Sequence, residues 1–352
     1  MVLVSLFCAT SAAKSIEGLY GAKIMVPDQT VTSRQQGAQE GLLEVLQRVS
    51  GFAAPLDNIV IMKALGIADQ YLYQYSYATL EADLQGESAV GSRWLNMKFE
   101  NNGIQRLIKA AKLPRWGKNR PSIMVWLAVD DEGAREVISD GSVHLARKAL
   151  NEGAMKRGLP LVLPINDLED SINLPIEQLW GLYSDPIKIA SKRYGAESVL
   201  AARLFRGVKG TWKGQWQFFF DGQELNFVFE TDTLNEQVLA GLTSSAQVLA
   251  DKYALKPSRN MGNHLNIEVD LVDSLRDYAS LTKYLDKLAI TKRVVIKQLK
   301  GKVISIDLAL NGSFEQFKQT LRLDKKLVSE VLTDEQASSF EEGDRIRFLW
   351  KP

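Results

Sequence analysis

The sequence predicts an α/β protein, α+β overall, assembled from three small modules. Three observations lead there. The 352 residues exceed what one ordinary core serves. Strand-like apolar patterns alternate with helical ones throughout, and two stretches interrupt the rhythm, Leu113-Pro114-Arg115-Trp116-Gly117 and Lys256 to Asn263. The modules expected are 14–118, 119–257 and 258–352, behind a short leader at 1–13.

In the first module Gly18 to Val26 alternates as a strand. Ser33 with Gln36 suggests a capping box, Ala38, Leu42, Val45, Leu46 and Val49 share a helix face, and Gly51 sits where a C-cap glycine belongs. A second helix is expected from Asn58 to Asp69. Tyr71, Tyr73, Tyr75 and Tyr77 then recur at every second position, which predicts one strand face carrying all four. Arg93 to Phe99 reads as the partner strand and Asn102 to Lys112 as a closing helix.

The middle module opens on Ile123-Met124-Val125-Trp126-Leu127-Ala128-Val129, a continuous apolar run typical of a strand buried on both faces. A helix over Ser142–Arg157, a strand over Leu159–Ile165, a helix reaching Tyr194-Gly195 and a strand over Ser198–Phe205 complete βαβαβ, a three-layer domain. Trp212, Trp216, Phe218 and Phe220 alternate up to the turn Asp221-Gly222, and Leu225, Phe227 and Phe229 alternate on the return, predicting an added antiparallel hairpin. A helix over Leu234–Tyr253 would cover it. The last module starts with Leu265, Ile267, Val269 and Leu271 in alternation, and its β-α-β-β-α-β order predicts a ferredoxin-like sandwich.

Composition narrows function. Hydrophobic residues at 45% and charged residues at 24% describe a folded globular protein. Lysine and arginine total 43 against 42 acidic residues, so no global field recruits nucleic acid. Val2 to Ala9 is an apolar run too short to span a bilayer, and Ser11-Ala12-Ala13 precede Lys14, the pattern of a signal peptide cleaved near Ala13. Export to the periplasm is therefore expected. Cys8, the one cysteine, falls inside that leader, and no later apolar run reaches the roughly 18 residues of a spanning helix.

Several strings, Arg48-Val49-Ser50-Gly51, Trp116-Gly117-Lys118-Asn119-Arg120-Pro121, Val125 to Asp131, Leu159 to Pro164 with Asp167-Leu168-Glu169-Asp170, and Arg193-Tyr194-Gly195-Ala196, together resemble an uncharacterised family of gammaproteobacterial envelope proteins. That family is classed only as a domain of unknown function, number twenty sixty-six. The resemblance implies a periplasmic location and supplies no activity and no functional residues.

No nucleophile elbow, phosphate loop or dinucleotide turn occurs, and His144 and His264, the two histidines, are too few for a zinc site. His144 falls in a helix, where a surface or half-buried position is expected. No cofactor is implied. The candidate ligand or metal residues are carboxylates: Asp130 and Asp131 follow the first strand of the middle module, and Asp167, Glu169 and Asp170 follow the second. Both groups would emerge at the carboxyl edge of the sheet, where open α/β sheets bind ligands and where oxygens could hold Mg²⁺ or Ca²⁺. The competing expectation is ordinary turns and helix caps. Tyr71, Tyr73, Tyr75 and Tyr77 could serve a protein interface or stack on glycan or peptidoglycan rings, or simply pack. The reading that best fits the absence of an assembled catalytic set is a non-enzymatic envelope accessory or scaffold that binds a protein partner. A ligand- or metal-binding protein or hydrolase using the acidic clusters, and a glycan binder, are the alternatives.

Overall fold

The computed structural model describes residues 16–52, 57–79, 92–131, 133–207, 210–256, 263–324, 326–329 and 346–351. The leader at 1–13 and the boundary near 257 lie outside the described residues. Among the described residues the strands form three sheets, each over its own apolar core.

The first unit contains β1 (Gly21–Val26), α1 (Val31–Ser50), α2 (Ile59–Leu65), a 3₁₀ turn (Ala68–Tyr71), β2 (Leu72–Thr79), β3 (Arg93–Phe99) and α3 (Asn101–Ala110). The sheet is antiparallel in the order β1-β3-β2. Helix α1 buries Ala38, Leu42, Val45, Leu46 and Val49 as its periodicity demands. It starts earlier than expected: Thr30, in extended backbone, accepts from Ser33 N at 3.2 Å, so Ser33 lies inside the helix and is not its cap. Gly51 ends it with φ at 76°. A Cβ there would lie 2.2 Å from the Ala250 Cβ, so this position requires glycine for space as well as for conformation.

The middle unit contains β4 (Ile123–Asp131), β5 (Ala134–Ile138), α4 (Leu145–Arg157), β6 (Leu161–Val162), α5 (Leu168–Asn173), α6 (Ile176–Trp180), α7 (Ser184–Ser191), β7 (Ser198–Arg206), β8 (Trp212–Phe220), β9 (Gln223–Thr231) and α8 (Leu234–Tyr253). Strand β4 is buried on both faces: Ile123, Val125, Leu127 and Val129 join the core under α4 and α8, while Met124, Trp126 and Ala128 join the one under α6 and α7. It runs parallel to β7 and β6, and β8 and β9 continue the sheet antiparallel.

One strand was not expected. After Asp131 the chain turns through Gly133, at φ 89°, and comes back as β5 against Leu127–Asp131. That hairpin fills the slot beside the far half of β4. The next parallel strand, read as Leu159–Ile165, therefore pairs only through Leu161 and Val162. The aromatic run of β8 is core: Trp212, Trp216 and Phe218 face α8, where buried Gln237 accepts from the Trp216 indole at 3.3 Å.

The last unit contains β10 (Asn263–Asp270), α9 (Leu275–Lys287), β11 (Thr291–Lys300), β12 (Val303–Leu310), α10 (Phe314–Asp324), β13 (Leu327–Ser329) and β14 (Ile346–Trp350). It is the expected ferredoxin-like βαββαβ layout with one strand added. Sheet order is β11-β12-β10-β14-β13, and β14 inserts parallel to β10, pushing β13 to the edge.

The Leu113–Gly117 stretch joins the units by backbone pairing. Arg115 and Leu255 exchange both backbone hydrogen bonds at 2.9 Å, and Trp116 N donates to Val49 O at 2.7 Å. Arg120 follows, with none of its surface exposed. Its guanidinium donates to five backbone carbonyls: Arg48 (2.7 Å), Arg157 (2.8 Å), Gly158 (2.9 Å), Gly117 (2.9 Å) and Trp116 (3.2 Å). No carboxylate is among these partners. The counter-charge comes instead from the carbonyl ends of α1 and α4, each carrying roughly half a negative charge. Burial, and then the nearby Arg48, press its pKa down to about 9, so it is still charged at neutral pH.

Candidate functional site

The two acidic groups reach the edge of the middle sheet, and each is already engaged. Asp130 accepts from Gly133 N at 3.0 Å and from Arg135 at 3.1 Å, closing the β4–β5 turn. Asp131 faces Arg206 at 3.1 Å. Asp167 caps α5 by accepting from Asp170 N at 2.9 Å and takes two bonds from Arg193, at 2.8 and 3.0 Å. Asp170, buried, accepts from Asn166 N at 2.9 Å, Arg193 at 3.0 Å and the Tyr194 hydroxyl. Glu169 stands 3.6 Å from the same guanidinium.

The electrostatics follow that geometry. Arg193 holds the Asp167 carboxyl down to about 2, helped by the Asp170 amide. Desolvation, followed by the bond to Asp170, pushes the Tyr194 phenol up to about 12. The hydrogen bond to Asp167 raises Arg193 in turn. Asp167, Tyr194 and Arg193 thus each keep one charge state near neutrality, so none of these three is poised for proton transfer.

The hairpin strand β5 also separates the two groups. It lines the outer half of β4, so the segment after β6 leaves the sheet beside Ile138 and Asp140, where Asp140 N donates to Pro164 O at 2.9 Å. Asp130 and Asp131 sit farther along, at the tip. Among the described residues no three His, Cys, Asp or Glu side chains are grouped to hold a metal ion. Asp167, Glu169 and Asp170 instead brace α5, six residues long, which has too few turns to persist alone.

What that brace holds out is apolar. Leu168 and Ile172, one helical turn apart, are 77% and 67% exposed, and Ile165, whose amide donates to the Tyr194 hydroxyl at 3.0 Å, is 64% exposed. Sequence reading missed this surface because attention fell on the carboxylates between these residues. Its signal was present as Ile165, Leu168 and Ile172 at helical spacing beside a helix cap.

The tyrosines separate. Tyr71 closes the 3₁₀ turn, and Tyr73 falls at a bulge between Leu72 and Gln74, so the period-two count is broken before the strand settles. Only Tyr75 and Tyr77, opposite Met97 and Leu95, share the core-side face. Tyr77 and Tyr71 pack on the core, Tyr75 accepts from Arg34 at 3.2 Å, and its ring meets Tyr77 edge-on at 6.0 Å. Tyr73 stands apart, 77% exposed. His144 is a helix cap: its Nδ1 accepts from Ala146 N at 3.0 Å, which fixes the tautomer.

Among the described residues one joint carries a small cleft. The cleft lined by Arg115, Trp116, Tyr253, Lys287 and Leu288 has a volume of about 50 Å³. That accommodates a water or two, against roughly 300 Å³ or more for a small-molecule site.

No curated protein and no solved structure matches the chain. The resemblance to the gammaproteobacterial envelope family is overturned, because the family that matches is a different one. The strings behind that resemblance meet local structural demands: Gly51 ends a helix, Arg120 fills a joint and Arg193-Tyr194 braces α5. Residues 13–117, containing the first sheet and its helices, match a domain of unknown function, DUF8605.

Proposed function

We propose that the chain is an exported, non-enzymatic protein that binds a protein partner in the cell envelope, with α5 and the turn before it as the contact. The observation that carries this reading is the brace itself: Asp167, Asp170, Arg193 and Tyr194 hold a short helix and the turn before it, on which three large apolar side chains face water. Apolar side chains fixed in place lose little conformational freedom on contact, the condition under which a small surface binds usefully. The engaged carboxylates and the narrow cleft support binding over chemistry.

Site-specific photo-crosslinking tests it. A photoreactive residue at Leu168, with Tyr73 as the control position, is introduced into the full chain and incubated with envelope extract. A discrete crosslinked protein is expected from position 168, reduced when Ile172→Glu is added. No reproducible species from either position refutes the reading. Export is checked separately by sequencing the N-terminus of the protein recovered from the periplasm: retention of residues 1–13 in the cytoplasm contradicts it.

A further inference from the structure

We infer that the partner surface meeting α5 is a cationic amphipathic segment, apolar at its centre and flanked by lysine or arginine. This deepens the proposed function and rests on it. The argument is one of charge around an apolar centre. Leu168 and Ile172 supply that centre, and Ile165 is exposed on the turn before the helix. Asp167 and Glu169 stand at the surface of the same six-residue helix and its cap, with Asp170 buried on that helix, around the guanidinium of Arg193. The neighbouring loop adds Asp140, whose amide ties it to Pro164 and whose carboxylate faces Arg147 at 3.4 Å. Arg193 and Arg147 each stand against a carboxylate, and Glu169 stays 59% exposed at the rim.

A partner that places apolar side chains over Leu168 and Ile172 brings its flanking charges next to Glu169. Positive flanks gain attraction and faster encounter; negative flanks are pressed against like charge as water leaves. The same sign rule disfavours an anionic membrane surface, and it disfavours a second copy, which would bring two acidic rims together.

Random-peptide phage display against the immobilised full chain, followed by affinity measurement of the selected peptides, decides it. The expected peptides combine large apolar residues with lysine or arginine. Their affinity should fall roughly tenfold or more in the Leu168→Glu, Ile172→Glu variant, in line with loss of an apolar hot spot. Glu169→Lys should weaken them severalfold, and raising salt from about 50 to about 500 mM should do the same by screening. Tyr73→Ser should change nothing, and thermal unfolding checks that every variant is folded. Selection of neutral or acidic peptides, indifference to these substitutions, or no enrichment at all overturns the inference. So does a concentration-dependent dimer in sedimentation that Leu168→Glu dissolves, which would assign the face to a second copy. If position 168 crosslinks an envelope protein while the display yields acidic peptides, partner binding stands and the cationic segment falls.

Discussion

Arg120 and Arg193 occupy opposite situations. Arg120 is sealed inside a joint and bonded only to backbone carbonyls, those of α1, of the α4 end with Gly158, and of its own turn. Arg193 lies near the surface and is shared by three carboxylates. The first fastens two units of the fold to each other, because its acceptors are 37 and 72 residues distant. The second holds one short helix. A planar guanidinium suits both tasks through its fixed fork of five donors. Burial decides how much each contributes to stability: losing Arg120 strands carbonyls that water cannot reach, whereas of the partners of Arg193 Asp167 and Glu169 are open to water and buried Asp170 keeps the Asn166 amide and the Tyr194 hydroxyl as donors.

That contrast breaks first at the joint. Arg120→Met should destabilise the whole chain by about 3 kcal/mol or more, since several buried carbonyls lose their donors at once. Chemical denaturation measures it, and a loss under about 1 kcal/mol would mean that water or neighbouring donors take over. Gly51→Ala comes next. The left-handed backbone costs about 1–2 kcal/mol with a side chain, and the 2.2 Å approach to Ala250 adds overpacking of a further 1–3 kcal/mol or so. Its effect should appear as a lower thermal midpoint with unchanged secondary structure.

The Arg193 brace should give smaller and local effects. Arg193→Gln is expected to leave global stability nearly unchanged while amide exchange at Asp170 and Leu174 speeds up, because α5 opens without the core following. Acid should do the same. Asp167 has its folded pKa lowered from 3.8 to about 2, so its contribution is fully present above the unfolded value and is lost as pH falls between the two. Exchange-detected opening of α5 should therefore begin below about pH 4, ahead of global acid unfolding. Opening that starts near neutrality would show that another group governs the brace.

Much of the fold was legible because its signals are local. The β4 run, the hairpin at Asp221-Gly222 and the glycine after α1 each act over a few residues. What escaped was set by distant partners or by small breaks in register. Strand β5 went unseen because Asp130-Asp131 reads as the end of an edge, and only Gly133 at positive φ reveals the reversal. The tyrosine stripe failed at one bulge between Leu72 and Gln74. Of the candidate site, the carboxylates were visible but their arginines were not: Arg193 lies 26 residues beyond Asp167, and no local pattern announces the pairing. Arg120 is harder still, since nothing in its neighbourhood predicts burial of a charge against two helix ends.

The smallest expected stability change tests whether α5 faces water for a reason other than folding. Leu168→Glu removes an apolar side chain that touches little and places a carboxylate in the first turn of a helix, where the dipole favours negative charge. Global stability should move by no more than about 0.5 kcal/mol in either direction, as for other exposed substitutions. A folded core residue behaves differently: Leu174, at the far end of the same helix and nearly sealed, should cost about 2–4 kcal/mol when cut to alanine. Denaturation midpoints of the two variants, measured side by side, separate the surfaces. If Leu168→Glu proved as damaging as Leu174→Ala, the exposed stripe would be part of the chain's own packing, and α5 would no longer serve as a contact for a partner.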